Sequence, residues 1–270
     1  MKSIWAHTLV KNEESFLWYS VGSVIDFVDK LLLWDTGSTD NTFRIAQEIK
    51  KRYPAKIELR EVGSVDKKLF SGMRQKMLSQ SECDWVFVVD GDEVWWEGSI
   101  KKVIGAINNG KADAIVSPYI NLIGDPYHYQ EEKAGRYQID KRVGNITIRA
   151  FNRKIPGLHV ENLYGLEGYF DGSGDAIQES PLVKRKFIDA PFLHLTHLKR
   201  SGKDEGVMGR AGKVKHELGI PLPLDFYYPE ALFRPSVPLV SLPWRKVDIA
   251  FRTRAFIEYP FRKIKRLLHG

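Results

Sequence analysis

The sequence predicts an α/β fold in which a mainly parallel, doubly wound sheet is flanked by helices. Apolar runs of strand length alternate with segments of helical periodicity through the first half of the 270-residue chain. Two of these runs, KLLLWD at 30–35 and DWVFVV at 84–89, carry almost no polar residues. Such runs are typical of strands that are covered on both faces of a sheet.

The predicted elements follow each other closely along the first half. We predict strands at residues 3–9, 30–35, 57–62, 84–89 and 112–119, and helices at residues 14–27, about 42–51, 69–81 and 99–108. Ser38, Thr39 or Asp40 is expected to cap the second helix. Strands and helices that alternate at this spacing imply right-handed crossovers.

The second half is less regular. Residues 121–179 are rich in Gly, Tyr, Asn and charge, and we predict a strand at 146–151 with long loops around it. From residue 219 the chain is rich in proline, which favours an extended wrap or a linker. We therefore expect a domain at 1–218, with a nucleotide-binding half (1–120) and an acceptor half (121–218), and a Pro-rich and basic extension at 219–270.

The composition is that of a soluble globular protein, with 43% hydrophobic and 28% charged residues. Apolar runs are too short for a membrane span, and charges come too early for a signal peptide. The one cysteine, Cys83, excludes an internal disulfide and a cysteine-built zinc site. These features predict a cytoplasmic location, with the inner face of a membrane as a further possibility.

Most of the net charge of +7 lies in residues 244–270, which contain eight Lys or Arg and two acidic residues. Phe261, Ile264, Leu267 and Leu268 recur there at helical spacing. This pattern predicts an amphipathic helix, held either on an anionic membrane surface or against the protein's own core. Nucleic acid is not an expected partner, because the basic residues cluster in the tail.

The sharpest chemical feature is Asp90-Gly91-Asp92-Glu93, directly after the strand at 84–89. Carboxylates at the end of a buried strand are costly unless a positive charge neutralises them. A hard divalent cation, Mn²⁺ or Mg²⁺, shared with substrate phosphates would do so at the edge where α/β sheets bind ligands. An acidic β-turn is the simpler alternative.

A second feature, WDTGSTDNT from Trp34 to Thr42, follows the strand at 30–35. Asp35 at the end of this strand can accept from a nucleobase N–H, and the nearby helix N-terminus favours phosphate. An ordinary strand–turn–helix connection capped by Asp40 explains the same residues.

These features occur with Leu9-Val-Lys-Asn-Glu-Glu14 after the first strand and with Met73-Arg74-Gln75 in the third helix. Together, and in this order, they resemble the family 2 glycosyltransferases, which have the Rossmann-like GT-A fold. The resemblance covers about the first 120 residues. It implies an inverting transferase that uses a nucleotide sugar of the UDP, GDP or dTDP type and a divalent metal.

The resemblance also implies roles for individual residues. It places Leu9, Asn12, Glu13 and Asp35 at the nucleotide base, Arg74 near the donor, Asp90 and Gly91 at the sugar and ribose, and Asp90 and Asp92 at the metal. The sequence departs from the family at Thr36, where some members carry a second carboxylate, and at Gln75, where Asn is more frequent.

The segment Phe192-Leu-His194-Leu-Thr-His197-Leu-Lys199-Arg200 is similar to one in which a late histidine completes the metal site. His194 and His197 are therefore candidate metal ligands, and Lys199 and Arg200 are candidates for neutralising the diphosphate. Two hydrogen-bonded histidines in a buried strand are the alternative.

Direct displacement at a sugar requires a carboxylate base for the acceptor hydroxyl. The candidates are Glu161, Glu167, Asp171 and Asp175, with Glu161 first, but no clean Glu-Asp or His-Glu pair of the kind that often marks the family's base is present. Trp95 or Trp96 is a candidate for packing against the acceptor.

The sequence thus predicts a glycosyltransferase that acts on a glycan, a lipid-linked molecule or another hydroxyl acceptor, for example in cell-envelope glycan synthesis. A catalytically degenerate binding module remains an alternative, because no clear base is present. A sugar-nucleotide nucleotidyltransferase is a further alternative, although the Gly-rich phosphate loop expected after the first strand is replaced by VKNEE.

Overall fold

The computed structural model describes residues 1–202 and 215–268. Its first half alternates strands with helices, as predicted. The strands are β1 (Ile4–Val10), β2 (Lys30–Asp35), β3 (Ile57–Glu61) and β4 (Trp85–Val88), and the helices are α1 (Leu17–Val24), α2 (Thr42–Arg52), α3 (Lys67–Gln80) and α4 (Glu97–Asn108). β1 lies between β2 and β4, and β2 pairs with β3, all in parallel. Every residue of β4 is buried, which is the reason for its apolar sequence.

Further strands follow β4 along the chain, and most, but not all, of them extend the same sheet. They are β5 (Glu93–Trp95), β6 (Ala114–Ile123), β7 (Asp125–Tyr129), β8 (Tyr137–Ile139), β9 (Arg142–Gly144), β10 (Ile146–Asn152), β11 (His159–Glu161), β12 (Gly168–Phe170), β13 (Arg185–Phe187), β14 (Phe192–His197) and β15 (Ile220–Pro221). β10 is antiparallel to both β4 and β6, whereas β13 and β14 are parallel to β6. The α/β fold is confirmed, but the sheet is mixed, because β10 reverses direction next to the parallel half.

The region predicted as long loops differs from the expectation. Between β7 and β13 the chain forms short hairpins, β8 with β9 and β11 with β12, in addition to β10. Each strand has only three residues, too few for a clear two-residue periodicity in the sequence.

The first helix also begins later than predicted, at Leu17 instead of residue 14. Asn12 adopts a left-handed backbone conformation (φ 53°) that ends β1 in a turn. The Glu14 side chain then accepts from the backbone N–H of Asn41 and of Gly202, which fixes residue 14 outside the helix. The second helix begins at Thr42 with Asn41 at its N-cap position, one residue later than the last of the predicted caps, although Asp40 Oδ1 accepts from the Thr42 N–H at 2.9 Å.

The Pro-rich extension packs along the domain. β15 pairs with β7, and a 3₁₀ turn at Glu230–Phe233 packs against α1. Ala231, Leu232 and Val240 are buried in the main hydrophobic core. The domain boundary at residue 219 stays a prediction, but residues 219–244 contribute to the same core as the strands. Helix α5 (Ile249–Leu268) follows.

Candidate functional site

Three polar segments meet at one edge of the parallel sheet, since β1, β2 and β4 all end there. In the strand register, Val10 at the end of β1 pairs with Asp35 at the end of β2, and His7 pairs with Val88 of β4. The segments that follow are 11–14, 36–41 and 89–93. This edge is where open α/β sheets bind their ligands.

Asp35 is buried, and its two carboxylate oxygens differ. Oδ1 accepts from the backbone N–H of Gly37 at 2.9 Å and of Ser38 at 2.8 Å. Within the part of the chain that the structure describes, Oδ2 is buried and has no hydrogen-bond partner. Burial raises the pKa of Asp35 above its ordinary value, although these hydrogen bonds oppose the rise. An oriented oxygen that lacks a donor fits a ligand N–H.

Gly37 gives this turn its shape. Its φ of 79° lies in the left-handed region, and a Cβ at this position would be 2.8 Å from the backbone nitrogen of Ser64. The turn is also joined to the end of β1, because Asn12 Oδ1 accepts from the Thr39 N–H at 2.8 Å. Leu9 and Trp34 pack in an apolar cluster beneath. The residues predicted for the nucleotide base therefore lie together.

Asp90 lies between two arginines. Arg74 Nη2 of α3 donates to Asp90 Oδ1 at 2.9 Å, and Arg149 Nη2 of β10 donates to Oδ2 at 3.1 Å. Burial opposes ionisation, but Arg149 and Arg74 hold the pKa of Asp90 well below its ordinary value. The Asp90 side chain is still 28% exposed, so a ligand can contact this charged group.

Arg149 also contacts Glu93, whose side chain is fully buried. The β10–β6 register shifts between Ile148 and Ala150, which places a bulge at Arg149. Burial raises the pKa of Glu93, while Arg149 opposes that rise. Arg149 was not among the site residues predicted from the sequence. The sequence feature that could have identified it is a charged residue within a mostly apolar strand, because a buried charge needs a partner.

Asp92 has a different cation, Arg200. Arg200 Nη1 lies 2.5 Å from Asp92 Oδ2 and 2.9 Å from Glu13 Oε1, and all three side chains are buried. Gly91 allows the side chains of Glu13 and Val10 to lie close to the acidic motif, because a Cβ at position 91 would be 3.0 Å from Glu13 Cγ and from Val10 Cγ1. Arg200, predicted to bind the diphosphate, is thus joined directly to the acidic motif. Lys199 is exposed.

His194 has the surroundings of a metal ligand. Its Nδ1 lies 3.0 Å from Asn121 Oδ1, and the Asn121 amide nitrogen faces Gln130 Oε1 and Asn145 Oδ1, so the imidazole Nδ1–H donates to Asn121. In the neutral ring the lone pair is then on Nε2, which lies 3.7 Å from Asp92 Oδ2.

Asp92 Oδ2 and His194 Nε2 face each other, but Arg200 already binds this carboxylate oxygen, so a divalent cation shared by Asp92 and His194 would have to displace Arg200. Asp90, also predicted as a ligand, has both oxygens bound to guanidinium groups instead. His197 is buried farther along β14. Within 1–202 and 215–268, three or more His, Cys, Asp or Glu side chains do not converge on one point. Further ligands would have to come from the substrate.

Two cavities open beside the acidic motif. The first, of about 220 Å³, is lined by Arg74, Asp90, Arg149, Glu167 and Tyr169 among others. The second, of about 390 Å³, is lined by Tyr119, Asn121, His194, His197 and Lys215 among others. Tyr137 lines both cavities, so they are neighbours.

The candidate bases are spread over different places. Glu167 lines the first cavity with Asp90. Glu161 is 56% exposed and lies 3.2 Å from His159 Nε2, whereas Asp175 is exposed. Asp171 accepts from the N–H groups of Ser173 and Asp175 and from Ser180 Oγ, which is a structural role in a turn.

The two tryptophans after the motif do not line either cavity. Trp95 is fully buried and stacks on Phe192 with 4.5 Å between ring centroids. Trp96 donates from Nε1 to the Tyr227 carbonyl and packs against Phe226. The expectation that one of them lines the acceptor site is not met in this structure, because Trp95 lies in the core and the half-buried Trp96 packs against the Pro-rich extension.

Comparison with known proteins adds independent findings. Residues 7–162, more than half of the chain, match a family model described as glycosyl transferase family 2. The chain is 32% identical over 95 residues to an uncharacterized glycosyltransferase of Rickettsia felis, which is 34% of this chain and 30% of that protein. It is 30% identical over 116 residues to the SPbeta prophage-derived glycosyltransferase SunS of Bacillus subtilis, which is 42% of this chain and 26% of that protein. The match spans less than a third of either relative.

Among solved structures, the chain is similar to residues 1–349 of S. aureus TarS in complex with UDP-GlcNAc. The TM-score is 0.51 at 14% identity, over 74% of this chain and 60% of that chain. A second crystal structure of TarS 1–349 gives a TM-score of 0.50 at 12% identity, over 72% of this chain and 60% of that chain. The predicted GT-A fold is confirmed by these neighbours.

Proposed function

The chain belongs to glycosyl transferase family 2, and from this we propose that it moves a sugar from a nucleotide-diphosphate sugar to an acceptor hydroxyl. The observation that carries the proposal is the convergence of Asp35, Asp90 and Asp92 at one sheet edge, each held in a defined orientation. A family domain that had lost activity would not need to keep three oriented carboxylates at a cost in stability.

The nucleotide is proposed to bind across the ends of β1 and β2. Asp35 Oδ2, which is buried without a donor, accepts from an N–H of the base. Leu9 and Asn12 support the turn that holds Asp35, and Arg74 is held by Asp90 at the edge of the first cavity. UDP-GlcNAc is the first donor to test, because the TarS structure contains it.

The leaving diphosphate carries negative charge that the site must stabilise. Arg200 is proposed to contact it with Lys199, once Arg200 exchanges its contact with Asp92 for one with phosphate. Mn²⁺ or Mg²⁺ would be held by Asp92 and His194 and would supply Lewis-acid stabilisation of the diphosphate when bound. His194 is kept in position by its hydrogen bond to Asn121.

Inversion requires a base opposite the leaving group. We place Glu167 in this role ahead of Glu161 and Asp175, because Glu167 lines the same cavity as Asp90. The acceptor hydroxyl would then enter through this cavity. A glycan or a lipid-linked sugar is the proposed acceptor class.

Nucleotide binding measured by calorimetry tests the proposal. UDP, GDP and dTDP should be compared, with and without Mn²⁺, for the parent and for Asp35→Asn. We expect one nucleotide to bind, with weaker binding in Asp35→Asn and unchanged binding in Asp189→Asn, which alters an exposed carboxylate. Binding without any sugar transfer across donors and acceptors would support the degenerate binding module instead.

A further inference from the structure

Among the described residues, helix α5 contacts the domain through the side that carries Phe251 and Ala255. The Phe251 ring lies against the turn between β6 and β7, where a Cβ on Gly124 would be 3.0 Å from Phe251 Cε1. The Phe251 and His216 rings are 5.1 Å apart, and Ala255 is fully buried. The position of α5 is therefore fixed by Phe251 and Ala255.

The side of α5 that faces away from the domain is apolar and exposed. Its large side chains are exposed by 74% at Phe256, 60% at Ile257, 71% at Phe261 and 54% at Ile264. Ile257, Phe261 and Ile264 follow Phe256 by one, five and eight positions. On an α-helix these four positions fall within an arc of about 140°. We call these four residues the apolar face of α5. Clustered large apolar side chains on a surface indicate a contact with something apolar.

Positive charge surrounds the apolar face. Arg245 and Lys246 before the helix and Arg252 and Arg254 within it are exposed. Glu258 is engaged by Arg254 at 2.7 Å and by Arg262 at 2.9 Å, so its negative charge is neutralised within the helix. Residues 244–270 contain eight Lys or Arg and two acidic residues. An apolar strip with cations around it is complementary to the surface of an anionic bilayer.

We propose that the apolar face of α5 binds the surface of an anionic lipid bilayer, with the helix lying in the plane of the membrane. A second copy of the chain fits this face less well, because a two-fold dimer would bring the same cations against each other. A spanning orientation does not apply, since no described helix is both long enough and apolar enough to cross a membrane.

The placement of α5 also connects it to the second cavity. His216 contacts Phe251 of α5, and the preceding residue, Lys215, lines the cavity that contains His194 and His197. A bilayer under α5 therefore lies near this cavity. The second cavity adjoins the first, through which the acceptor hydroxyl is proposed to enter, because Tyr137 lines both. Resting on the proposed function, this favours an acceptor that is carried by a lipid.

Co-sedimentation of the full chain with vesicles tests the proposal. Phosphatidylcholine vesicles should be compared with vesicles that also contain phosphatidylglycerol, at low and high NaCl. We expect binding only to the anionic vesicles, weakened by salt. Phe256→Ser with Phe261→Ser should lower the partition coefficient by about tenfold or more, and Arg245→Gln with Arg252→Gln should weaken binding and its salt dependence.

The matched control is Leu182→Ser with Leu224→Ser, which removes exposed apolar side chains elsewhere and should leave vesicle binding unchanged. Circular dichroism and nucleotide affinity of each variant show that the fold and the sheet-edge site are intact, so a failure here is separable from a failure of the proposed transferase. No binding to anionic vesicles, or equal binding by the Phe256/Phe261 variant, would overturn the proposal. A dimer in sedimentation velocity that this variant disperses, without vesicle binding, would overturn it as well.

Discussion

Arg200 and Asp92 form a buried ion pair across 108 residues of sequence, with Arg200 Nη1 at 2.5 Å from Asp92 Oδ2. The same nitrogen contacts Glu13, so one guanidinium joins the segments that follow β1, β4 and β14. A divalent cation at Asp92 would compete with Arg200 for the same oxygen. Arg200 thus acts on both the stability of the site and its affinity for metal.

Replacing Arg200 by Gln should destabilise the fold. Two buried carboxylates then lose their cation, which costs roughly 3–5 kcal/mol in free energy of unfolding. Mn²⁺ should raise the melting temperature of Arg200→Gln more than that of the parent, because the metal replaces the missing charge at Asp92. Lys199→Gln, which alters an exposed neighbour, is the control and should melt like the parent. Equal melting temperatures for Arg200→Gln and the parent would contradict the buried pair.

Asp35→Asn should weaken nucleotide binding without lowering the stability of the fold. The amide oxygen still accepts from Gly37 and Ser38, but a base N–H loses a charged acceptor, so nucleotide affinity should fall about 10- to 100-fold. The melting temperature should not fall. Because the folded-state pKa of Asp35 is raised, its ionised form costs stability at pH values above the unfolded pKa, and Asn removes that cost.

The raised pKa of Asp35 also predicts how nucleotide affinity depends on pH. The ionised carboxylate is the acceptor, so affinity should fall as pH drops through the raised pKa of Asp35, earlier than for an ordinary aspartate. Calorimetric titrations at several pH values measure this. Asp35→Asn should lack this part of the pH dependence; a profile identical to that of the parent would contradict the role of Asp35.

Much of the fold was predictable from the sequence, because the uninterrupted apolar runs of β2 and β4 alternate with segments of helical periodicity. Asp35, Asp90 and Asp92 were predictable as a group, since strands of one parallel sheet end at the same edge. Arg149 was not predicted, because its position depends on β10 running antiparallel beside β4 and on a bulge. The pairing of Arg200 with Asp92 was not predicted either, since it depends on a tertiary contact between segments far apart in sequence.

Replacing Arg149 should show how much its ion pairs with Asp90 and Glu93 contribute to the stability of the fold. At pH 9, above the pKa of about 8 to which burial raises Glu93, Arg149→Met leaves an ionised Glu93 buried without its cation and should cost roughly 3–5 kcal/mol in free energy of unfolding. Adding Glu93→Gln should recover part of that loss, because the uncompensated charge is gone. Urea unfolding of the two single variants and the double variant measures the coupling energy. Additive losses would show that the two side chains do not interact.

Glu167→Gln should slow sugar transfer about 100-fold or more while donor binding stays unchanged, as expected for loss of a general base. Glu161→Gln is the matched control: this carboxylate is exposed and paired with His159, so its loss should leave turnover unchanged. Initial rates with saturating donor and the donor dissociation constant should be measured for both. If Glu161→Gln abolishes turnover and Glu167→Gln does not, the base has been assigned to the wrong residue.

The protein is proposed to turn over a nucleotide sugar at the sheet edge that carries Asp90 and Asp92. The most direct measurement is the release of nucleotide diphosphate from UDP-GlcNAc and from other UDP-, GDP- and dTDP-sugars, with Mn²⁺, Mg²⁺ or EDTA, for the parent and Asp92→Asn. We expect turnover of one donor that depends on the divalent ion and is lost in Asp92→Asn while the protein stays folded. Turnover in Asp92→Asn at the parent's rate, or no turnover of any donor by the parent, would contradict the proposal.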